Sequence, residues 1–131
     1  LVIENDDGRY SLRECLRISS KTGVPVLFDN FHHEVNSSGE TVKEAFGRFI
    51  KTWKEKHGLP MVDYSSQNRG HKRGKHAEKI NLKHFEEFLE KSKPYDFDIM
   101  LEIKDKERSA LKAIEIALQD DRFSIVKKHT F

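Results

Sequence analysis

The sequence is poor in cysteine, in long apolar runs and in net charge, and each shortage excludes a class of protein. Its single cysteine, Cys15, excludes an internal disulfide and fits the reducing cytoplasm. No apolar run is long enough to cross a membrane and no signal peptide is visible, so we expect no membrane partner. A formal charge of +2 is too small to indicate a nucleic-acid binder by itself. Only the distribution of the charges along the sequence can show whether the protein binds nucleic acid.

The chain nevertheless has what one folded domain needs. Nine Phe and one Trp among 131 residues supply anchors for a core, and the length suits a single domain or a piece of one. Because the sequence has no initiator Met and opens inside an apolar run, we expect a fragment of a longer protein.

A unit of strand, loop and helix occurs four times. Apolar runs predict strands at residues 1–3, 24–28, 59–64 and 97–103, each followed by a helical pattern; residues from about 122 to 131 have no assignment. Such alternation predicts a parallel sheet covered by helices. A doubly wound α/β fold and a barrel both have this pattern. The unit length is close to the ~30 residues of one-eighth of a (β/α)₈ TIM barrel. Four units would make half a barrel, which needs a missing N-terminal half or a self-association partner to close its sheet.

Helix boundaries are well marked in two places. The pairs Ser11/Glu14 and Thr41/Glu44 are capping boxes, and Gly23 suits the left-handed end of the first helix. A stripe of apolar residues after Thr41 extends to Trp53, which predicts a long second helix packed in the core.

An acid stands at the end of every predicted strand. These acids are Glu4, Asp29, Asp63 and Glu102, and His32 follows Asp29 by three positions. Alternation places the four on one face of the sheet, at the edge where parallel α/β proteins build active sites. Converging carboxylates repel one another unless cations lie between them. The sequence therefore predicts a site for a divalent ion such as Mn²⁺, Mg²⁺ or Zn²⁺.

A basic loop follows the third strand at the same edge. It predicts phosphate binding through Arg69, Lys72, Arg73 and Lys75, with His76 as a ligand or proton donor. If the fourth strand continues past Glu102, Lys104 lies near the metals; a salt bridge to Asp6, Asp7 or Asp105 is the competing interpretation.

Three stretches together resemble the UV damage endonuclease family. They are the opening LVIENDD, the FDNFHH after the second strand and the DIMLEIKDKE at the fourth. The resemblance implies the C-terminal half of a TIM-barrel endonuclease that uses two or three Mn²⁺ ions to nick double-stranded DNA 5′ of UV photoproducts or abasic sites, in the cytoplasm at a prokaryotic nucleoid. It implies that the metal ligands are Glu4, Asp29, His32, His76 and Glu102.

The third strand departs from the family pattern. Relatives have Lys and His in a Pro-Lys-x-His-x-Ser context, where this chain has Met61 and Asp63. Asp63 can bind metal in place of the His, but Met61 cannot replace a Lys. Glu4, Glu102 and Lys104 are the expected catalytic residues.

Two other functions stay open on the sequence alone. A metal-dependent sugar isomerase or epimerase also places acids and His at the rim of a TIM barrel, but it has no use for the basic loop. A paralogue that binds lesion DNA without cleaving it would explain Met61 and Asp63.

Overall fold

The computed structural model describes residues 1–125, and the rest of the unassigned tail lies outside them. Four parallel strands form one sheet in chain order. They are β1 (Ile3–Glu4), β2 (Val26–Asp29), β3 (Met61–Tyr64) and β4 (Asp98–Leu101). The prediction of an α/β fold with a parallel sheet is confirmed. The predicted strands were up to three residues too long, because the apolar runs extend past the backbone pairing.

Five α-helices in the described part of the chain connect and cover the strands. They are α1 (Leu12–Thr22), α2 (Asn30–Val35), α3 (Val42–Phe49), α4 (Leu82–Lys91) and α5 (Glu107–Ala117). Within residues 1–125, no helix is both long and apolar enough to cross a membrane.

The predicted capping boxes begin α1 and α3. The Ser11 backbone N–H donates to the Glu14 carboxylate at 2.9 Å, and the Thr41 N–H donates to the Glu44 carboxylate at 2.8 Å. Gly23 ends α1 with a φ of 74°, a left-handed conformation that costs glycine little.

The helix α3 is shorter than predicted. It ends at Phe49, a 3₁₀ turn follows, and Trp53 has an extended backbone. The Trp53 indole N–H donates to the Val26 carbonyl at 2.6 Å. This tertiary hydrogen bond explains why the aromatic stripe continues beyond the helix.

Aromatic side chains build the core between the sheet and the helices. Phe28 of β2 stacks on Phe49 with ring centroids 5.2 Å apart and meets Phe46 edge-on at 5.6 Å. Cys15 is fully buried beside them, and burial raises the pKa of its thiol to about 11. The thiol is therefore a packing group.

The two faces of the sheet differ as alternation predicts. Phe28 and Val62 point into the helix layer and are fully buried. On the opposite face Asp29 and Asp63 are buried, whereas Met100 is 51% exposed. This second face ends in the acids that the sequence singles out.

The apolar residues that predicted α5 lie mostly on its exposed side. Leu111 is 63% exposed and Leu118 is 53% exposed, whereas Ser109, Ala113 and Ala117 form the buried face. The small side chains let α5 approach its neighbours closely, so the helix was predicted correctly and its buried face was not.

Candidate metal centre

Acidic side chains at or just after the ends of the four strands meet at the carboxyl-terminal edge of the sheet. Because parallel strands end at the same edge, residues in equivalent positions become neighbours, and Asp29 pairs in register with Asp63. Ligand atoms within 4.8 Å of one another come from two overlapping groups. The first contains Glu4, Asp29 and His32, and the second contains Asp29, Asp63 and Glu102.

Asp29 belongs to both groups and is held from several sides. Its side chain is 1% exposed, and its Oδ1 accepts from the His32 backbone N–H at 2.7 Å, which caps α2. Asn5 clamps the Asp29 backbone, donating to its carbonyl and accepting from its N–H, both at 2.9 Å. Burial raises the pKa of Asp29 to about 7, and the Glu4 and Asp63 carboxylates act in the same direction.

His32 stands in the first turn of α2 with its ring over the acids. Its Nδ1 lies 3.1 Å from Asp29 Oδ2, 3.6 Å from Glu4 Oε1 and 3.0 Å from the Asn5 carbonyl oxygen. The nearby Glu4 carboxylate, together with the Asp29 charge, raises the pKa of His32 to about 9. In the absence of a metal, this imidazole carries the positive charge that the acids require.

Asp63 is the most unusual member of the cluster. It is 5% exposed, and burial together with the charges of Glu4 and Glu102 raises its pKa to about 6. Asp63 Oδ1 and Asp29 Oδ2 are buried and accept no hydrogen bond. Asp29 Oδ2 has the charge of His32 Nδ1 at 3.1 Å, whereas burial of Asp63 Oδ1 is costly unless a cation or a donor satisfies it.

His76 lies at the margin of the cluster. Its ring centroid is 5.9 Å from that of His32, and its Nδ1 is 3.4 Å from the Glu102 carbonyl oxygen. A carbonyl only accepts, so Nδ1 carries a proton and Nε2 is free in the neutral ring. His76 is absent from both groups of converging ligand atoms found among residues 1–125.

The basic loop is folded around Gln67, which the sequence analysis passed over. The Gln67 side chain donates to the Lys72 carbonyl at 3.0 Å and accepts from the Gly74 N–H at 2.9 Å. Arg69 and Lys72 are exposed, while Arg73 donates to the Val35 carbonyl at the end of α2, at 2.5 Å. Lys75 Nζ lies 3.1 Å from His71 Nδ1. The loop thus presents some of its bases outward and uses Arg73 to hold α2.

The predicted environment of Lys104 needs correction. The strand β4 ends at Leu101, so Glu102 and Lys104 do not continue it, and Lys104 lies in a turn. Its Nζ is 3.8 Å from Glu78 Oε1, whereas the sequence suggested Asp6, Asp7 or Asp105 as partners. The turn before α5 takes the backbone out of the sheet and removes the alternation on which the prediction depended.

Sequence reasoning missed the helix α2 and the clamp made by Asn5. No helix was predicted between Asp29 and the capping box at Thr41, yet residues 30–35 form the helix that carries His32. Two signals could have found these features. Asp29 is a favourable N-cap residue, and Asn5 directly follows an acid at the end of a strand.

Known proteins that resemble this chain share one activity in their names. A UV DNA damage endonuclease from Clostridium perfringens is 45% identical over 116 residues, which are 87% of this chain and 28% of that protein. The protein of the same name from Bacillus mycoides is 35% identical over 116 residues, covering 37% of its length. The chain therefore spans about a third of the curated relatives it matches.

Similarity extends to a solved structure and to a family model. The crystal structure of SacUVDE superposes with a TM-score of 0.86 at 46% identity, covering 94% of this chain and 41% of that one. The fold is thus of the TIM-barrel type, with four βα units in this chain. The model for UV-endonuclease UvdE matches residues 1–129. With the acids converging at the edge of such a sheet and the match covering nearly the whole sequence, this chain belongs to the UV-endonuclease UvdE family.

Proposed function

We propose that the protein containing this chain is a DNA repair endonuclease that nicks the backbone 5′ of UV photoproducts or abasic sites by divalent-metal-assisted hydrolysis. In this proposal residues 1–131 form the C-terminal half of one TIM-barrel domain, and the partners are lesion-containing double-stranded DNA and the other half of the barrel. The site of action would be the cytoplasm, at a prokaryotic nucleoid. The observation that carries the proposal is the convergence of carboxylates from four strands around Asp29 and His32.

The donor set fits divalent ions, and we propose two or three of them, with Mn²⁺ as the first candidate. One group offers two carboxylates and an imidazole, and the other offers three carboxylates, which are hard oxygen ligands. The buried oxygens of Asp29 and Asp63 that accept no hydrogen bond have the positions expected of ligand atoms. His76 would add its free Nε2 at the margin. Mg²⁺ and Zn²⁺ are the other ions that such donors take.

Bound metal would supply Lewis acidity at a phosphodiester and an activated water. The chain's own residues fix where this chemistry occurs. Glu4 and Glu102 reach the cluster from opposite ends of the sheet, and Asp29 lies between them as the shared ligand. Lys104, paired with Glu78 on the surface, would act on the phosphate only after leaving that partner.

The basic loop would hold the DNA backbone. Arg69 and Lys72 are exposed on the loop that also carries His76, whose ring lies 5.9 Å from that of His32, and their charges would meet phosphates there. Lys75 would contribute from a half-buried position. Arg73 has a double role in this proposal, since it already hydrogen-bonds the Val35 carbonyl.

Asp63 and Met61 would change the electrostatics of the site relative to relatives with His and Lys. Met61 precedes Asp63 by two residues on the same face of β3 and brings no charge. The site then has one more acid and two fewer basic residues, which favours tighter binding of hard divalent ions.

Nicking of irradiated supercoiled plasmid by the full natural protein with Mn²⁺ tests the proposal. We expect 5′ incision that disappears with EDTA. The variants Asp29→Ala and Glu102→Ala should lower the rate by more than about 100-fold, because even partners of metal ligands contribute up to that much. The exposed Glu86→Ala serves as the matched control and should nick normally.

Three outcomes would contradict the proposal. Tight, salt-sensitive binding to lesion DNA without incision at any Mn²⁺ concentration would identify a non-cleaving paralogue. Aldose–ketose turnover without nicking would identify a sugar isomerase. Nicking that is indifferent to the removal of Asp29 and Glu102 would separate the activity from the acidic cluster.

A further inference from the structure

Three side chains form a chain of hydrogen bonds behind the acidic cluster. The Tyr64 hydroxyl lies 2.7 Å from His84 Nδ1, and His84 Nε2 lies 2.7 Å from Glu34 Oε1. Glu34 Oε1 also accepts from the Asn30 side-chain amide at 3.2 Å. These hydrogen-bonded side chains join β3 to α4 and α4 to α2. None of the three belongs to the groups of converging ligand atoms found among residues 1–125.

The donors and acceptors along this chain are all matched. An ionised Glu34 only accepts, so His84 Nε2 must donate to it. In the neutral ring Nδ1 is then an acceptor for the Tyr64 hydroxyl, which is fully buried and needs a partner. One arrangement of protons therefore satisfies Tyr64, His84 and Glu34 together.

The helix α2 needs such a support because it is very short. It has six residues, and an isolated helix of that length is unstable in water. Its first turn is capped by Asp29, and its last carbonyl is held by Arg73. On the side facing α4, Glu34 makes the contact with His84. His32, two positions before Glu34, projects from this helix towards the acids.

The other end of the hydrogen-bonded chain begins next to Asp63. Strand alternation sends Asp63 to the acidic cluster and Tyr64 to the helix layer. The hydrogen bonds among Tyr64, His84 and Glu34 thus connect the end of β3, which carries Asp63, to the helix α2, which carries His32. They do so on the face of the sheet opposite the acids. We propose that Tyr64, His84 and Glu34 are positioning residues that fix His32 relative to Asp63. This inference rests on the proposed metal-dependent function.

Metal affinity and amide exchange in the full natural protein test the positioning role. We expect Glu34→Ala, His84→Ala and Tyr64→Phe each to weaken Mn²⁺ binding by roughly tenfold in calorimetry, the lower end of the effect of groups that orient ligands. The α2 amides of the metal-free variants should exchange faster. Because Glu34 is 38% exposed, its replacement leaves the core intact. Glu34→Gln keeps an acceptor oxygen for His84 and should restore most of the affinity.

The matched control is Glu87→Ala, an exposed acid of α4 that lines the same small cleft as Glu34 and His84. We expect its Mn²⁺ affinity to equal that of the parent. The double variant Glu34→Ala/His84→Ala should lose no more affinity than either single variant, because both interrupt the same connection.

Several results would overturn the inference. One is parental Mn²⁺ affinity in Glu34→Ala and His84→Ala, even if their melting temperatures fall. Another is a Glu34→Gln variant as weak as Glu34→Ala, which would make charge the cause instead of geometry. If the parent binds no Mn²⁺, the proposed function fails, and the exchange rates of α2 then decide the inference separately: unchanged rates in Glu34→Ala overturn it and faster rates support it.

Discussion

Asp29 connects more features of this protein than any single motif in the sequence suggests. It ends β2, caps α2, pairs in register with Asp63 and is shared by both groups of converging ligand atoms. Helix capping and metal binding are two roles open to an acid at the end of a strand. The geometry makes them compatible, because Oδ1 caps the helix while Oδ2 accepts no hydrogen bond.

The raised pKa of Asp29 predicts how the stability of the metal-free protein depends on pH. The pKa is about 7 in the folded state and near 4 in an unfolded chain, so folding takes up a proton between these values. The free energy of unfolding should therefore fall as pH rises from 4 to 7. Asp29→Asn keeps the capping oxygen and should make this fall shallower, by roughly 1.4 kcal/mol for each unit of the pKa shift.

Urea unfolding in EDTA at pH 5 and pH 8 measures this difference. The exposed Glu115→Gln on α5 provides the control and should show the parental pH dependence. Equal pH dependence in Asp29→Asn and the parent would mean that Asp29 is ionised in the folded metal-free protein, contrary to the prediction.

At the scale of elements, the basic side chains of the loop between β3 and α4 have two different roles. Arg69, Lys72 and Arg73 are all exposed, but Arg73 also donates to the Val35 carbonyl at the end of α2. Sequence alone treats these bases as equivalent. The structure shows that removing Arg73 would also disturb the helix that carries His32, so Arg69 and Lys72 are the better test of phosphate binding.

We expect Arg69→Ala and Lys72→Ala to weaken DNA binding and to reduce the slope of log K against log salt by about 0.9 for each lost phosphate contact. Lys56→Ala is the matched control, because Lys56 is exposed on the connection that enters β3 at the opposite edge of the sheet. Fluorescence anisotropy over a range of salt concentrations gives the slopes. A parental slope in both loop variants would remove this loop from the DNA-binding surface.

At the scale of the whole molecule, metal binding should be coupled to both stability and pH. Protons on Asp29 and Asp63, whose pKa values are about 7 and 6, compete with the metal. Mn²⁺ affinity should therefore rise as pH increases from 5.5 to 8, with proton release that diminishes over the same range. At 100 times its Kd, Mn²⁺ should stabilise the fold by about 2.7 kcal/mol.

Calorimetry in buffers of different ionisation enthalpy measures the released protons, and thermal melts with and without Mn²⁺ measure the stabilisation. An affinity that does not change between pH 5.5 and 8 would contradict the involvement of these two carboxyls. The variant Asp63→Asn supplies the control, since it should release fewer protons while Asp29 remains.

What the sequence determined by itself is the part that depends on local chemistry. Capping boxes, the glycine after α1 and the repeated apolar runs define α1, the start of α3 and the four parallel strands, because these signals act over a few neighbouring residues. Strand alternation also assigns Glu4, Asp29, Asp63 and Glu102 to one face, since it requires only that each strand be extended.

The tertiary structure alone decided which groups meet. The end of α3 at Phe49, the helix α2, the clamp of Asn5 on Asp29 and the Tyr64–His84–Glu34 chain all depend on contacts between distant parts of the sequence. Burial has the same origin: Asp29 and Asp63 lose their water only when the sheet assembles, and this loss raises their pKa values. A local sequence pattern carries no information on desolvation. For this physical reason the burial and the raised pKa values of Asp29 and Asp63 could not be predicted from the sequence.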